Sequence, residues 1–445
     1  MTEHRSISKA VPVPSGRISR VSRLGSMTAS VAGNVALNGL RELSRGRRPG
    51  FRDLLLTPAN MRRITDDLAR MRGAAMKVGQ LISMDTGDVL PPELSEIMAR
   101  LRADADFMPP SQLKSVLNRA WGRDWLGRFK SFDTRPVAAA SIGQVHRARL
   151  RDGRDVAVKV QYPGVARSID SDVANVAVLL KMSDLLPKGF EIDPYIEEAR
   201  RQLHEEADYR REGKCLADFG VLMEGSEGFI LPELYEDWTT PTVLAMSFIP
   251  STPIEDAQTA SAETRNLIAE RLVTLLMREL FEFGLMQTDP NFANFRYQEE
   301  TGRIVLLDFG ATRRFSAEIA EQYRQLFRAG LAGDRAALHR SALEIGFIAP
   351  ETLPRHQEAV IDMIWTVFDA VRVRESFDFA DRSLSDRMNA AGAALARDGF
   401  LPPPVPMDVL YLQRKFGGTF LLASRLGAIL PLRALLERGL EAGVS

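Results

Sequence analysis

Apolar positions recur at helical spacing over residues 57–101, where Met61, Ile64, Leu68 and Met71 share a face and Pro58, Pro91 and Pro92 mark helix starts. Pro109, Pro110 and Ser111 open another helix toward Trp121 and Gly122. The period then shortens to two. Over residues 132–161, Val137, Val145, Ala148, Leu150 and the run 156–160 alternate around Asp152-Gly153, which predicts a β-hairpin. Helical spacing returns over 169–186 and 192–218, with a break at 186–189. A strand pair is expected near 228–232 and 242–246, then a helix over 261–283 and a short hairpin over 296–303. An apolar strand from Ile304 ends in a turn at Gly310, and everything beyond about Ala317 is expected to be helical except the proline cluster at 402–406.

Composition narrows the class. The 445 residues are 45% hydrophobic and 26% charged, with 24 Pro and one Cys, which excludes a disordered chain, a collagenous repeat and a disulfide scaffold. That length suits two to four domains or one large bilobal enzyme. Cys215 is the single cysteine and cannot form an internal disulfide, which suits a reducing compartment, and the five His show no metal-ligand spacing, so any metal must be held by oxygen.

The formal net charge is +0, which argues against a nucleic-acid partner, yet the sum hides an asymmetry. Residues 1–52 carry ten Lys or Arg against Glu3 and Glu42. Inside this arm the 17 residues 24–40 are uncharged, rich in small side chains and flanked by Arg23 and Arg41. They fall short of the roughly 20 apolar residues of a spanning helix, and no apolar core of a secretory signal leads into a cleavage site. Contact with an anionic membrane surface is the reading they favour; a packed or solvated arm is the alternative.

The order of the polar motifs points to chemistry. Val156, Ala157, Val158 and Lys159 lie in a β-rich region, an acidic helix follows, and then come Asp289, Asn294 and Asp308-Phe-Gly310. Handling ATP with Mg²⁺ requires a strand-borne cation for the α/β phosphates, a carboxylate to hold that cation, and hard oxygen ligands for the metal. Singly, each residue has an ordinary explanation, such as a surface lysine or a solvated acidic helix face. Their order makes a protein-kinase-like site specific, and with it an α+β, bilobal protein-kinase-like fold with an N-terminal helical extension and a mostly helical C-lobe.

Further motifs give a family resemblance. Lys77-x-Gly-Gln80, the run Ala138, Ala139, Ala140, Ser141 with Gly143-Gln144, and Glu206-x-Asp208 resemble the signatures of the ABC1/ADCK/UbiB atypical kinase-like family. The segments 287–291 and 307–312 are most similar to its COQ8 branch, and the similarity runs from about residue 15 to the C-terminus. The resemblance implies that Lys159 contacts the phosphates and pairs with Glu206, on an αC-like helix over 195–219, with Glu205 the nearest rival. It implies Asn294 and Asp308 as Mg²⁺ ligands and Asp289 as the catalytic carboxylate. Met246, Ser247, Phe248 and Ile249 fall where a hinge would meet adenine. Lys77 and Gln80 would reach into the nucleotide site, with Glu206 and Asp208 as their partners.

Departures from a typical kinase shape the expected activity. Three alanines replace the phosphate-loop glycines, and each added Cβ crowds the backbone approach to an anion, so nucleotide geometry should differ, with a preference toward ADP implied by the resemblance. No long activation segment follows Asp308. Expected domains are a basic arm (1–52), a helical extension (53–130), an N-lobe (131–248) and a C-lobe (249–445). The expected function is a Mg²⁺-dependent ATPase that binds ATP or ADP and supports ubiquinone biosynthesis, with water or a small molecule as acceptor. A protein or small-molecule kinase, or a nucleotide-switched scaffold, is the alternative. Implied partners are the nucleotide, an anionic membrane, lipid-like quinone precursors and quinone-biosynthesis proteins, with a homodimer left open. The location would be peripheral, on the cytoplasmic side of a bacterial inner membrane, or alternatively at the mitochondrial inner membrane.

Overall fold

The turn expected at Asp152-Gly153 joins the two longest strands in the computed structural model, which describes residues 68, 71–86, 107–183 and 191–442. The arm 1–52, its uncharged run, Met61, Ile64 and the helix starts at Pro58, Pro91 and Pro92 lie outside these residues. The chain divides into two units. One holds the described residues up to Lys214 together with 233–248; the other holds 215–232 and 249 onward.

In the first unit, helices α1 (Arg72–Thr86) and α2 (Pro110–Trp121) precede strands β1 (Phe129–Phe132), β2 (Ala138–Ala139), β3 (Gly143–Leu150) and β4 (Asp155–Gln161). Pro110 begins α2 where its missing N–H costs nothing. Helices α3 (Val165–Ser183), α4 (Asp193–Glu206) and α5 (Tyr209–Leu222) follow, the division falling inside α5. Strand β5 (Phe229–Ile230) belongs to the second unit, and β6 (Val243–Ser247) returns to the first. The first sheet runs β1-β3-β4-β6, antiparallel throughout, with β2 paired to β3.

Strand periodicity sorts β4 into two faces. Val156, Val158 and Val160 enter a core with Leu113, Leu117, Trp125, Phe129, Ala148 and Leu150. Trp121 and Trp238 add to it, their ring centroids 5.2 Å apart and the Trp121 indole donating to the Trp238 carbonyl at 2.9 Å. Lys159 and Gln161, on the other face, meet α5 and the turn before it. The sheet needs Gly143, because a Cβ there would collide with the Val160 carbonyl oxygen and the Tyr209 hydroxyl.

A buried polar chain ties the helical extension to β3. The Met108 N–H donates to Gln144 Oε1 at 2.8 Å, which turns the Gln144 amide nitrogen toward His146 Nε2, also at 2.8 Å. His146 Nε2 must then accept, and Nδ1–H donates to the Asp133 carbonyl at 2.7 Å, so the neutral imidazole alone satisfies every bond. Burial lowers the His146 pKa, opposed by its hydrogen bond to Asp133. A base whose folded pKa lies below its unfolded value binds more protons when unfolded. Stability is therefore complete above about pH 6.5 and falls as pH drops below it. Urea midpoints should be flat above that pH and fall below it, and His146→Gln should weaken the fall; an equal fall in the variant would refute the assignment.

The second unit begins with β5, then β7 (Thr252–Pro253), α6 (Ala262–Arg278), a π-turn over Glu279–Phe283 and β8 (Leu285–Gln287). Strands β9 (Phe295–Gln298), β10 (Arg303–Leu306) and β11 (Thr312–Arg314) complete two small sheets, β5-β10-β9-β7 and β11-β8. Helices α7 (Ala317–Ala332), α8 (Arg335–Ile345) and α9 (Pro354–Arg372) come next, then β12 (Phe377–Asp378), α10 (Ser383–Arg397), α11 (Met407–Leu426), β13 (Ile429–Leu430) and α12 (Leu432–Glu441). Ser316 and Asp334 cap α7 and α8 through their side chains, and Gly333 and Gly346 end them at positive φ.

Four expectations change: the region beyond Ala317, expected to be helical apart from the proline cluster, also holds the paired short strands β12 and β13. The helix expected over 192–218 breaks at Ala207-Asp208, where Asp208 Oδ1 accepts from the Arg210 and Arg211 N–H groups and restarts the chain as α5. The strands near 229 and 243 do not pair with each other: β5 runs parallel to β10, and β6 lies beside β4. The helix expected to reach residue 283 is α-helical only to Arg278. With helices dominant among the described residues and mostly antiparallel small sheets, the class is α+β.

Candidate functional site

Lys159 is held where strand and helix chemistry would put it, but not by the carboxylate expected. Its Nζ donates to Glu212 Oε1 at 2.7 Å and Oε2 at 3.0 Å, with the two side chains only 8% and 2% exposed. The Tyr209 ring lies 5.3 Å from the ammonium. The break at Ala207-Asp208 explains the correction. Glu206 ends α4, whereas Glu212 sits in the first turn of α5.

Glu206 instead pairs with Lys77, and its other oxygen accepts from Ser141 Oγ at 3.1 Å. Helix α1 is thereby fastened to the alanine loop, and Gly73 allows the approach, since a Cβ there would lie 3.2 Å from the Ile142 side chain. Ala138 and Ala139 form β2, and the Ala140 N–H closes the loop onto the Gly143 carbonyl at 2.8 Å. Gln80 lies on α1 one turn from Lys77. Asp208 caps α5 rather than standing beside Lys77 as a second ion-pair partner.

Hinge positions divide as well. The Ser247 N–H donates to the Glu233 carbonyl and the Phe248 N–H to the Asp155 carbonyl, at 2.8 and 3.0 Å. Those two amides are already engaged inside the first unit, and Met246 lies opposite Ala157 in the β4–β6 ladder, which leaves Ile249 as the position to test for adenine contact.

The second unit brings Asp289, Asn294 and Asp308 onto one connected backbone. Asn291 caps a short 3₁₀ turn ending at Asn294, and the Leu307 N–H donates to the Asn294 carbonyl at 2.8 Å. Asn294 Nδ2 donates to Asp289 Oδ2 at 3.1 Å and to the Asp289 carbonyl at 3.2 Å. Asp308 has φ of 60°, a left-handed conformation that no other described non-glycine residue adopts. Gln287 Nε2 donates to its carbonyl at 2.6 Å, and its own Oδ1 accepts from the Gly310 N–H at 3.2 Å. Phe309 is buried against Phe219, with centroids 5.3 Å apart.

Among the described residues no group of three or more His, Cys, Asp or Glu side chains could hold a metal alone. The donor set nevertheless suits Mg²⁺ delivered with a nucleotide, which needs one or two hard oxygens from the protein and takes the rest from phosphate and water. Both amide hydrogen bonds of Asn294 leave through nitrogen, so its Oδ1 remains the oxygen suited to a cation.

Two further groups escaped the sequence. Arg414 Nη2 donates to Asp289 Oδ1 at 2.6 Å. Lys415 Nζ lies 2.9 Å from Glu279 Oε2 and donates to the Gln287 carbonyl at 2.7 Å, while the Gln287 N–H donates to Glu279 Oε1 at 3.0 Å. Burial raises the Glu279 pKa, against the opposing effect of Lys415. The sequence signal was faint: two adjacent cations near the middle of a helix whose other charges, Asp408 and Arg425, lie at its ends.

A sheet-borne lysine paired to a helix carboxylate, and an Asp-x₄-Asn loop leading through a hairpin to Asp-Phe-Gly, are the working parts of a protein-kinase-like fold of atypical kind. The chain belongs to the ABC1 atypical kinase-like family: residues 100–342 match the ABC1 atypical kinase-like domain. It is 40% identical over 96% of its length, and 85% of the relative's, to the mitochondrial atypical kinase COQ8 of Saccharomyces cerevisiae. It is 36% identical to the mitochondrial atypical kinase COQ8B of Rattus norvegicus, over 96% of this chain and 80% of that one. Among solved structures, Rv3197 of Mycobacterium tuberculosis in complex with erythromycin is 26% identical, with a TM-score of 0.61 over 84% of this chain and 94% of its own. The family makes this a kinase-type enzyme. No helix among the described residues is long and apolar enough to cross a membrane.

Proposed function

We propose that the chain is a Mg²⁺-dependent ATPase of the atypical kinase type that binds ATP and ADP and supports ubiquinone biosynthesis at a membrane. The observation that carries this reading is the buried Lys159–Glu212 pair. Two full charges withdrawn from water cost several kcal/mol each unless well paired, so a packed apolar pair would serve stability as well. A cation kept there for phosphate accounts for the expense. The similarity to COQ8 proteins over most of the chain supports the pathway.

In this reading Lys159 takes the α/β phosphates, and Asn294 and Asp308 hold Mg²⁺, which when bound neutralises phosphate charge. Asp289 orients the acceptor oxygen that attacks the γ-phosphorus and receives its proton as the bond to the bridging oxygen breaks. The fastening of α1 to the alanine loop by Lys77, Glu206 and Ser141 favours water or a small acceptor over a docked protein. The basic arm supplies membrane contact, peripherally.

Steady-state ATP hydrolysis, with and without anionic liposomes and a phenolic quinone-precursor analogue, tests the proposal. Turnover should require Mg²⁺, rise with both additions, and fall by about 100-fold or more in Asp289→Asn, the range of a lost general base. Tight nucleotide binding without hydrolysis under every condition would replace the ATPase with a nucleotide-switched scaffold. Phosphate appearing on added proteins would replace it with a protein kinase.

A further inference from the structure

The loop from Asp289 to Asn294 reads Asp-Pro-Asn-Phe-Ala-Asn and carries no cation of its own. The cation at Asp289 arrives from α11, 125 residues later in the chain. Three consecutive contacts seat that helix on the loop. Lys415 holds the Gln287 carbonyl, Arg414 holds Asp289, and Gly418, one turn on, meets Pro290 so closely that a Cβ would collide with the proline ring. The seat itself is fixed from below by Glu279, which binds both the Lys415 ammonium and the Gln287 N–H.

The polar chain continues outward. Arg414 holds one oxygen of Asp289, the other oxygen receives the Asn294 amide, and that amide orientation decides where Asn294 Oδ1 points. We propose that Arg414 is a positioning residue, which acts through Asp289 to fix Asn294 and so presents the metal-binding oxygen. Both carboxylate oxygens are then restrained, one by a guanidinium and one by an amide. A carboxylate with one restraint can swing about its Cβ–Cγ bond; with two it cannot without breaking a charge-assisted hydrogen bond. Helix α11 thereby sets the geometry of a loop with which it shares no local sequence. The inference rests on the Mg-nucleotide reading above.

The test is a double-mutant cycle read by Mn²⁺ binding to the ADP-loaded full-length chain, with free Mn²⁺ measured by electron paramagnetic resonance. Arg414→Gln is expected to weaken Mn²⁺ binding by about 10-fold, as loss of a residue supporting a metal ligand typically does. ADP affinity without metal should stay within about two-fold, and Arg414→Lys should recover part of the loss, because an ammonium supplies charge but not the planar donor. In an Asp289→Asn background, Arg414→Gln should add less than about two-fold, since its route to Asn294 is already cut. An undiminished effect in that background, or none in the wild-type background, would overturn the relay while leaving nucleotide binding intact. Failure of the wild type to bind both ADP and Mn²⁺ would instead overturn the nucleotide reading, and the relay with it. If Arg414→Gln melts well below the wild type, Arg414→Lys carries the cycle, with a smaller loss that must likewise vanish beside Asp289→Asn.

Discussion

Glu212→Ala should destabilise the first unit, because it removes the carboxylate whose two oxygens accept hydrogen bonds from the buried Lys159 ammonium. Lys159 is 8% exposed and lies against the Tyr209 ring, so water cannot readily replace the lost carboxylate. Glu212→Gln, which keeps an acceptor, should lose less. Urea denaturation of the full chain measures the stability, and MgADP titration of the surviving native protein tests the proposed contact of Lys159 with phosphate. Glu206→Ala is the informative control, because it frees Lys77 and Ser141 but leaves the Lys159 contacts to Glu212 in place. If Glu206→Ala reduced phosphate binding through Lys159 and Glu212→Ala did not, the pairing assigned above would be wrong.

Lys415→Met should cost about 3–5 kcal/mol, because Glu279 is fully buried and would keep only the Gln287 N–H. The loss should depend on pH with a definite sign. Burial already raises the Glu279 pKa, and removing Lys415 takes away the effect that opposes it. An acid whose folded pKa is raised holds its proton in the folded state where the unfolded state has released it. Stability is therefore fullest in acid and is lost as pH rises through the folded pKa. The variant should trail the wild type less at pH 5 than at pH 8. Adding Glu279→Leu should restore much of the loss, since an apolar pair replaces an orphaned charge. A variant equally destabilised at both pH values would show that Glu279 stays ionised without its lysine.

Local features were legible because they are set by neighbours in the chain. The Asp-Gly turn, the Pro110 helix start and the strand bearing Lys159 are each decided within a few residues. The kinase-like class was legible from motif order alone. What the sequence hid was pairing at a distance. Glu206 and Glu212 are both acidic and both follow β4, and only the cap at Asp208 decides which of them turns toward Lys159. Strands β5 and β6 looked alike by composition, yet they lie in different sheets. Arg414 and Lys415 carry no local mark of their role, because what gives them meaning is a loop more than a hundred residues earlier.

That separation has a consequence for biosynthesis. At elongation rates of about 5–20 residues per second, roughly 5–21 s pass between translation of Asp308 and of Arg414. During that interval the nascent chain holds every motif of the proposed nucleotide site but lacks the helix that fastens the loop from Asp289 to Asn294. A prematurely terminated product ending before α11 would therefore display the complete set of motifs with the loop's Arg414 and Lys415 contacts missing. The loop's Arg414 and Lys415 contacts thus wait on a helix made more than a hundred residues after the motifs it braces.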